Sequence, residues 1–413
     1  MIGIRKNWAR YELGILFVFL LFVVVTRKLD IALPVLFVLT VLPHARRSFR
    51  AGPATLMIIL ITTFYLVQGI IFNNAKAAIT DYVSRICQFV LFLLILESTD
   101  IRLDGSNTRL IRAAVIAETL VDAALLLLGR SEDIRLISGN QPVGGNIAIA
   151  VLPLILYAFF TEPGNAGRII RYWGILTAWV FLSGTRGYIV LWFMGSLPVL
   201  LDYVRSGKGI TGHTYNYRMV FFLLFIVLTA AMVLLSDSLA QWIERTLRLT
   251  GSTGTRKGES RMAGVFFHET TDLYRIFGGG YGRYLRSIPG VERAYYATLS
   301  SWSAWGYAHY VDHYGSAFHN YYNNMLLLMG VLGLLMVLAV FVIGCRSVVQ
   351  LKTEKSLKAA LLMYWIGFFV MLYFRWSCSC GLAELPMLAV IISDLRKKES
   401  DRICLSDGIP VRG

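Results

Sequence analysis

The chain has 413 residues, of which 56% are apolar and only 16% charged, and its mean hydropathy is +0.60. An ordinary soluble domain is about 25% charged, so this composition excludes a soluble globular protein and points to a bilayer. The net charge of +15 does not indicate nucleic acid, because the basic residues stand in short clusters between apolar runs, where anionic headgroups and the orientation rule place them.

A helix crosses the hydrocarbon core with about 20 residues, and basic residues at its ends can snorkel. On that basis the apolar runs predict spans over 11–26, 29–43, 54–72, 79–96, 112–128, 143–160, 172–184, 187–201, 219–236, 320–344, 358–374 and 382–394. The expected fold class is all-α, a polytopic membrane protein of twelve transmembrane helices forming one domain over residues 1–413. The basic flank Arg5, Lys6, Arg10 precedes the first run without a small-residue cleavage pattern, so that run reads as an uncleaved span. Five cysteines, an odd number, give no disulfide framework, and Cys378 and Cys380 are too close for a usual zinc pair.

Orientation follows from the loops. With the N-terminus inside, 23 of the 40 Lys and Arg residues fall on the cytoplasmic side and 8 in the short outer connections, Lys76, Arg85, Arg130 and Arg186 among them; the other nine lie in one long loop that the rule does not count. Both termini are then cytoplasmic, and the loop over 237–319, between the ninth and tenth spans, faces out. Its many aromatics, such as Trp242, Phe266, Tyr281, Trp302 and Tyr314, argue against a disordered tether. They predict short helices at the membrane face, where Trp and Tyr suit the interface. Within the loop, the glycines between Leu249 and Gly258 read as a turn ahead of a helix starting near Glu259.

Four polar constellations are candidates for chemistry. Ser183-Gly-Thr-Arg-Gly187 puts an arginine at membrane depth, where it faces either a cavity holding an anion or, by snorkelling, the headgroups. Arg261 is followed by Phe277-Gly-Gly-Gly-Tyr-Gly282; Gly280 and Tyr281 fall in a glycine run that lacks the lysine and strand context of a nucleotide loop. A tight loop that positions Arg261 is the better reading. His319, at the return into the membrane, is the side chain suited to take a proton near neutral pH, and Asn320 beside it suits orienting that histidine or binding sugar. Asn146 closes a Gly/Asn-rich turn, Ser138 to Asn146, at a predicted helix start, where backbone donors can hold an anion; a plain turn is the alternative. His309 and His313 are spaced for one helix face, but no carboxylate partner completes a metal site.

In this order, the Gly145-Asn146 turn, Ser183 to Arg186 between two short spans, and an outer loop with Arg261, the glycine run and His319-Asn-Tyr-Tyr-Asn-Asn resemble the O-antigen ligase and O-antigen polymerase family of bacterial membrane glycosyltransferases. The likeness covers residues 136–344. That family more often has Ser directly before the first Arg; here Thr185 stands there.

The resemblance implies an enzyme of the inner membrane working at its outer face, with an undecaprenyl-diphosphate-linked glycan as donor, a glycan or lipid as acceptor, no cofactor and no metal. It implies that Arg186 and Arg261 hold the diphosphate through guanidinium forks, that His319 is the general base, and that Ser183, Asn146, Gly280, Tyr281 and Asn320 contribute to substrate binding. Membrane lipids, a chain-length regulator and a flippase are the implied partners. Polymerisation of repeat units is expected; ligation of a finished glycan shares the same chemistry, and a lipid or sugar transporter is the reading from a different class.

Overall fold

The computed structural model of the protein describes residues 51–97, 103, 107–127, 146–182, 186–206, 249–288, 290, 292, 293, 296, 318, 320–373 and 384–406. The predicted spans 11–26, 29–43 and 219–236 lie outside the described residues. Among the described residues the fold is helical without strands: α1 Pro53–Phe72, α2 Ala75–Arg85, α3 Cys87–Glu97, α4 Asn107–Leu127, α5 Asn146–Thr161, α6 Ala166–Leu182, α7 Arg186–Ser206, α8 Leu249–Glu269, α9 Asp272–Phe277, α10 Tyr321–Val349, α11 Lys355–Leu372 and α12 Glu384–Ser406.

By length and apolarity α1, α10 and α11 can each cross a membrane, and two bent pairs pass when taken together. These helices make the chain a helical membrane protein. The first bent pair covers the span expected over 79–96, but not as a straight helix: the chain breaks at Ile86 and turns by 49° between α2 and α3. The second pair, α5 and α6, turns by 111° at the short 3-10 segment Pro163–Asn165.

Contacts between helix ends sort into two groups, one at each end of the bundle. At one end Glu97, closing α3, accepts from Gly52 N at 2.7 Å and from Thr55 Oγ1 at 2.7 Å, at the start of α1. At the same end Asp394 of α12 accepts from Leu103 N at 2.9 Å and from the hydroxyl of Tyr157, and Lys398 lies 2.9 Å from it. Lys352, just after α10, pairs with Glu399 at 3.2 Å. The opposite end gathers the C-termini of α1 and α11 and the N-termini of α5, α7 and α10, as set out below. Among the described residues α1 and α11 therefore run opposite to α5, α7 and α10.

Packing in the middle uses aromatics whose polar tips are satisfied, as buried Trp and Tyr require. Trp365 stacks on Phe92 with centroids 4.6 Å apart and donates from Nε1 to the Phe341 carbonyl at 2.9 Å. Where α7 crosses α11, Gly195 faces Leu152 and Tyr364, and Gly367 faces Leu191 and Met194. Small residues at such crossings let backbones approach where water supplies no drive between helices.

Two further expectations are corrected. The stretch from Leu249 to Gly258, read as a turn, is the first half of α8. Its glycines each disfavour helix by only about 1 kcal/mol, and no proline stands in 249–269 to stop it. Arg85, counted as a charge of an outer connection, lies inside α2, is 1% exposed, and pairs with the buried Asp81 one turn earlier.

The glycine run is a structural wedge. α10 loses helical backbone at Gly330 (φ 63, ψ −152), which frees carbonyls in the preceding turn. Gly279 N donates to Leu327 O at 2.7 Å and Gly280 N to Leu328 O at 2.9 Å, so the loop caps the broken helix. On its other side the wedge rests on α1 and α2. Asn73 Nδ2 donates to Tyr281 O at 2.8 Å, Asn74 N to Gly282 O at 3.1 Å, and Gly282 N to Asp81 Oδ2 at 2.9 Å.

Candidate active site

The site is built at the bundle end where α5, α7 and α10 begin. The last turns of α11 serve as a common ruler. Tyr364 donates its hydroxyl to Ile149 O at 3.1 Å, three residues into α5. Gly367 lies against Leu191, five residues into α7. Phe369 O accepts from the hydroxyl of Tyr322, in the first turn of α10, at 2.6 Å. Asn146 and Arg186, which open α5 and α7, and Asn320, which caps α10, therefore stand round the same end of α11. Helix N-termini favour anions through their first-turn N–H groups and dipoles, while the C-termini of α1 and α11 at the same end oppose that in part.

Asn320 is 3% exposed, and its Oδ1 accepts from Tyr322 N at 3.0 Å and Asn323 N at 3.4 Å. Asn324, fully buried, accepts at Oδ1 from Phe318 N at 3.0 Å and donates from Nδ2 to Phe318 O at 2.6 Å. These two asparagines fix the chain at Phe318 and at the first turn of α10, on either side of position 319. Replacing Asn320 by Ala is expected to cost about 1 kcal/mol of stability, the usual loss for an N-cap, while Asp in its place costs little. Thermal unfolding in detergent measures the difference, and equal losses for both would show that the cap does not hold the helix.

The long loop that precedes α10 reaches this end through α8. Its buried face is Glu259, Met262, Ala263 and Phe266, the i, i+3, i+4, i+7 stripe of an amphipathic helix. Ser260 Oγ accepts from Asn323 Nδ2 at 3.1 Å, so the residue before Arg261 touches the first turn of α10. Arg261 is exposed on the side of α8 away from the buried stripe.

The predicted residues are thus unevenly placed. Asn146, Arg186, Arg261 and Asn320 come to one end of the bundle. Gly280 and Tyr281 lie in the wedge instead: the Gly280 amide is bonded to α10, and Tyr281 is fully buried with its hydroxyl 3.0 Å from Met329 Sδ. In the structure both pack the fold. Ser183 and His319 are outside the described residues, as are His309 and His313. Among the described residues no three His, Cys, Asp or Glu side chains converge as metal ligands.

Sequence reasoning missed Asp81, Arg85 and Glu259, all buried polar groups near this end. Asp81 and Arg85 had a signal: opposite charges four apart at the head of a predicted span face each other on a helix, and ionisable groups inside a bundle are seldom incidental. Glu259, in a glycine-rich polar stretch, had none. No protein-family model and no curated protein matches the chain.

Proposed function

We propose that the protein is a membrane glycosyltransferase that takes a glycan from undecaprenyl diphosphate at the outer face of the cytoplasmic membrane and adds it to an acceptor hydroxyl, polymerising repeat units of a surface polysaccharide. The observation that carries this reading is the gathering of Asn146, Arg186 and Asn320 at three helix N-termini, with α8 hydrogen-bonded to α10 beside Arg261. An anionic diphosphate is the ligand such an end favours. His319 adjoins the capping residue Asn320 in sequence.

In the proposed reaction His319 takes the proton of the acceptor hydroxyl, whose oxygen attacks the anomeric carbon. The bond from that carbon to the diphosphate breaks, and its electron pair leaves with undecaprenyl diphosphate, giving inversion. Arg186 and Arg261 stabilise the charge that develops on the leaving group. Ligation to a lipid core follows the same steps with a different acceptor.

Reconstitution with an undecaprenyl-diphosphate-linked glycan tests the reading. Wild type is expected to lengthen or transfer the glycan; His319→Ala is expected to lose about 10²- to 10⁴-fold of that rate, and Arg186→Ala or Arg261→Ala about 10²- to 10³-fold. Full activity in His319→Ala would remove the general base from the scheme.

A transporter is the second reading, favoured by the interruption of α10 at Gly330 and the bend between α2 and α3, since broken helices build many transport sites. Against it, the carbonyls freed in α10 are bonded to Gly279 and Gly280 rather than left open to an ion. Movement of the lipid-linked glycan across the vesicle membrane without covalent transfer would favour the transporter.

A further inference from the structure

We propose that residues 271–282, although part of the long outer loop in sequence, dip into the hydrocarbon of the bilayer, with Leu273, Ile276 and Phe277 of α9 facing lipid acyl chains. The inference needs only the membrane character of the chain and goes beyond the reaction proposed above.

Two rulers give the depth. α1 has 20 residues, about 30 Å at 1.5 Å each, which matches the hydrocarbon thickness. Its exposed side from Leu60 (69% exposed) to Phe72 (78% exposed) is uncharged and apolar but for Thr63. Tyr65 lies seven residues, about 10 Å, below Phe72, and its hydroxyl donates to Phe277 O at 2.7 Å. Helical side chains lean toward the N-terminus, which takes this contact deeper still. The second ruler is α10. From Gly330 to Arg346, its first charge, the chain is uncharged over sixteen steps, about 24 Å, which leaves Gly330 about 6 Å inside a 30 Å core. The carbonyls of Arg275 and Ile276 stand against Gly330, 2.5 Å from where a Cβ would be.

Non-helical backbone survives at that depth only when protein satisfies it. Here it does: Gly278 N bonds to Tyr274 O at 2.8 Å, Gly279 and Gly280 bond to α10, Gly282 N bonds to Asp81, and the Phe277, Tyr281 and Gly282 carbonyls accept from α1 or the turn after it. The cation of α9 is also held. Arg275 donates to the Phe267 and His268 carbonyls at 2.7 and 2.6 Å and pairs with Asp272 at 3.0 Å.

What remains open is an apolar surface. Leu273, Ile276 and Phe277 are 70%, 48% and 48% exposed, and the helices that flank them, α1 and α10, carry the exposed rows Phe64, Val67, Ile71 and Leu335, Leu338, Val342. Lipid is the occupant that continues across all three. Asp272, whose side chain is 87% exposed at the start of α9, belongs at headgroup level.

The full chain, reconstituted in phosphatidylcholine vesicles with a diazirine at mid-acyl position, is photolysed and its adducts are mapped by mass spectrometry. Leu273, Ile276 and Phe277 are expected to carry adducts at the yield of Phe64, with Asp272 labelled only by a diazirine on the headgroup. Labelling of the three by a water-borne carbene instead would place α9 above the bilayer and overturn the proposal. Protection from both reagents would put a protein partner on this surface and overturn it equally. The readout requires no transfer activity, so it is decided separately from the glycosyltransferase reading.

Discussion

Gly330→Ala is expected to destabilise the protein by about 2 to 6 kcal/mol, the sum of forcing a side chain into a backbone region open almost only to glycine and of overpacking a filled contact. Gly330 has φ 63 and ψ −152, and an added Cβ would meet the carbonyl oxygens of Arg275 and Ile276 at 2.5 Å. Those atoms are backbone, so no side chain can swing aside. Against a usual total of about 5 to 15 kcal/mol, the loss is a large fraction of the stability. Gly264→Ala, at an α8 position where nothing lies within 4 Å of the added Cβ, is the matched control and is expected to be neutral or to stabilise by up to about 1 kcal/mol. Denaturation in detergent compares the two. Equal stability would show that α10 runs unbroken through Gly330 and that the glycine wedge does not cap it.

The sequence makes the wedge visible but assigns it wrongly. Three consecutive glycines before Tyr-Gly mark a tight approach of backbone to something, and a ligand is the natural guess when no partner is in view. The partner turns out to be the chain's own α10, about fifty residues later, and no local pattern in 277–282 encodes that distance. The long apolar helices were legible, because α1, α10 and α11 depend mainly on hydropathy and length. The breaks were not. At Ile86 the sequence carries no glycine or proline to mark the 49° turn, and tertiary contacts such as Tyr321 Oη to Arg85 O at 2.7 Å stand beside it.

The candidate site shows the same division. Asn320 was expected to orient the neighbouring histidine or to bind sugar, and in the structure its side chain caps α10. Asn146 was expected at a helix start and Arg186 in the turn between two short spans; in the structure both open helices. That these starts share one end of α11 depends on aromatic reach from Tyr364 and Tyr322, which hydropathy does not register. Loop charge had put them on one side, and the helix contacts arrive at the same grouping through different residues.

Breaking the buried pair in α2 is the other change with a large expected effect. Asp81 and Arg85 are 2% and 1% exposed, so removing either charge breaks a buried ion pair, a loss of about 3 to 5 kcal/mol. The two sides are not equivalent. Asp81 Oδ2 also accepts from Gly282 N, and an orphaned amide adds about 1 to 3 kcal/mol. Asp81→Leu is therefore expected to be worse than Arg85→Leu, with Asp81→Asn between wild type and Asp81→Leu because its amide oxygen still receives Gly282. Asp81→Leu/Arg85→Leu is expected to be more stable than Asp81→Leu alone, since the buried cation goes together with its carboxylate, yet below wild type by the cost of the Gly282 amide. A double-mutant cycle on denaturation in detergent gives the coupling directly. Additive single losses would mean that the pair is not a unit. Strong coupling would make it the pin between the wedge, which it holds through Gly282, and the first turn of α10, whose Tyr321 bonds the Arg85 carbonyl; loosening that pin shifts the helix start on which Asn320 and the chain at 319 depend.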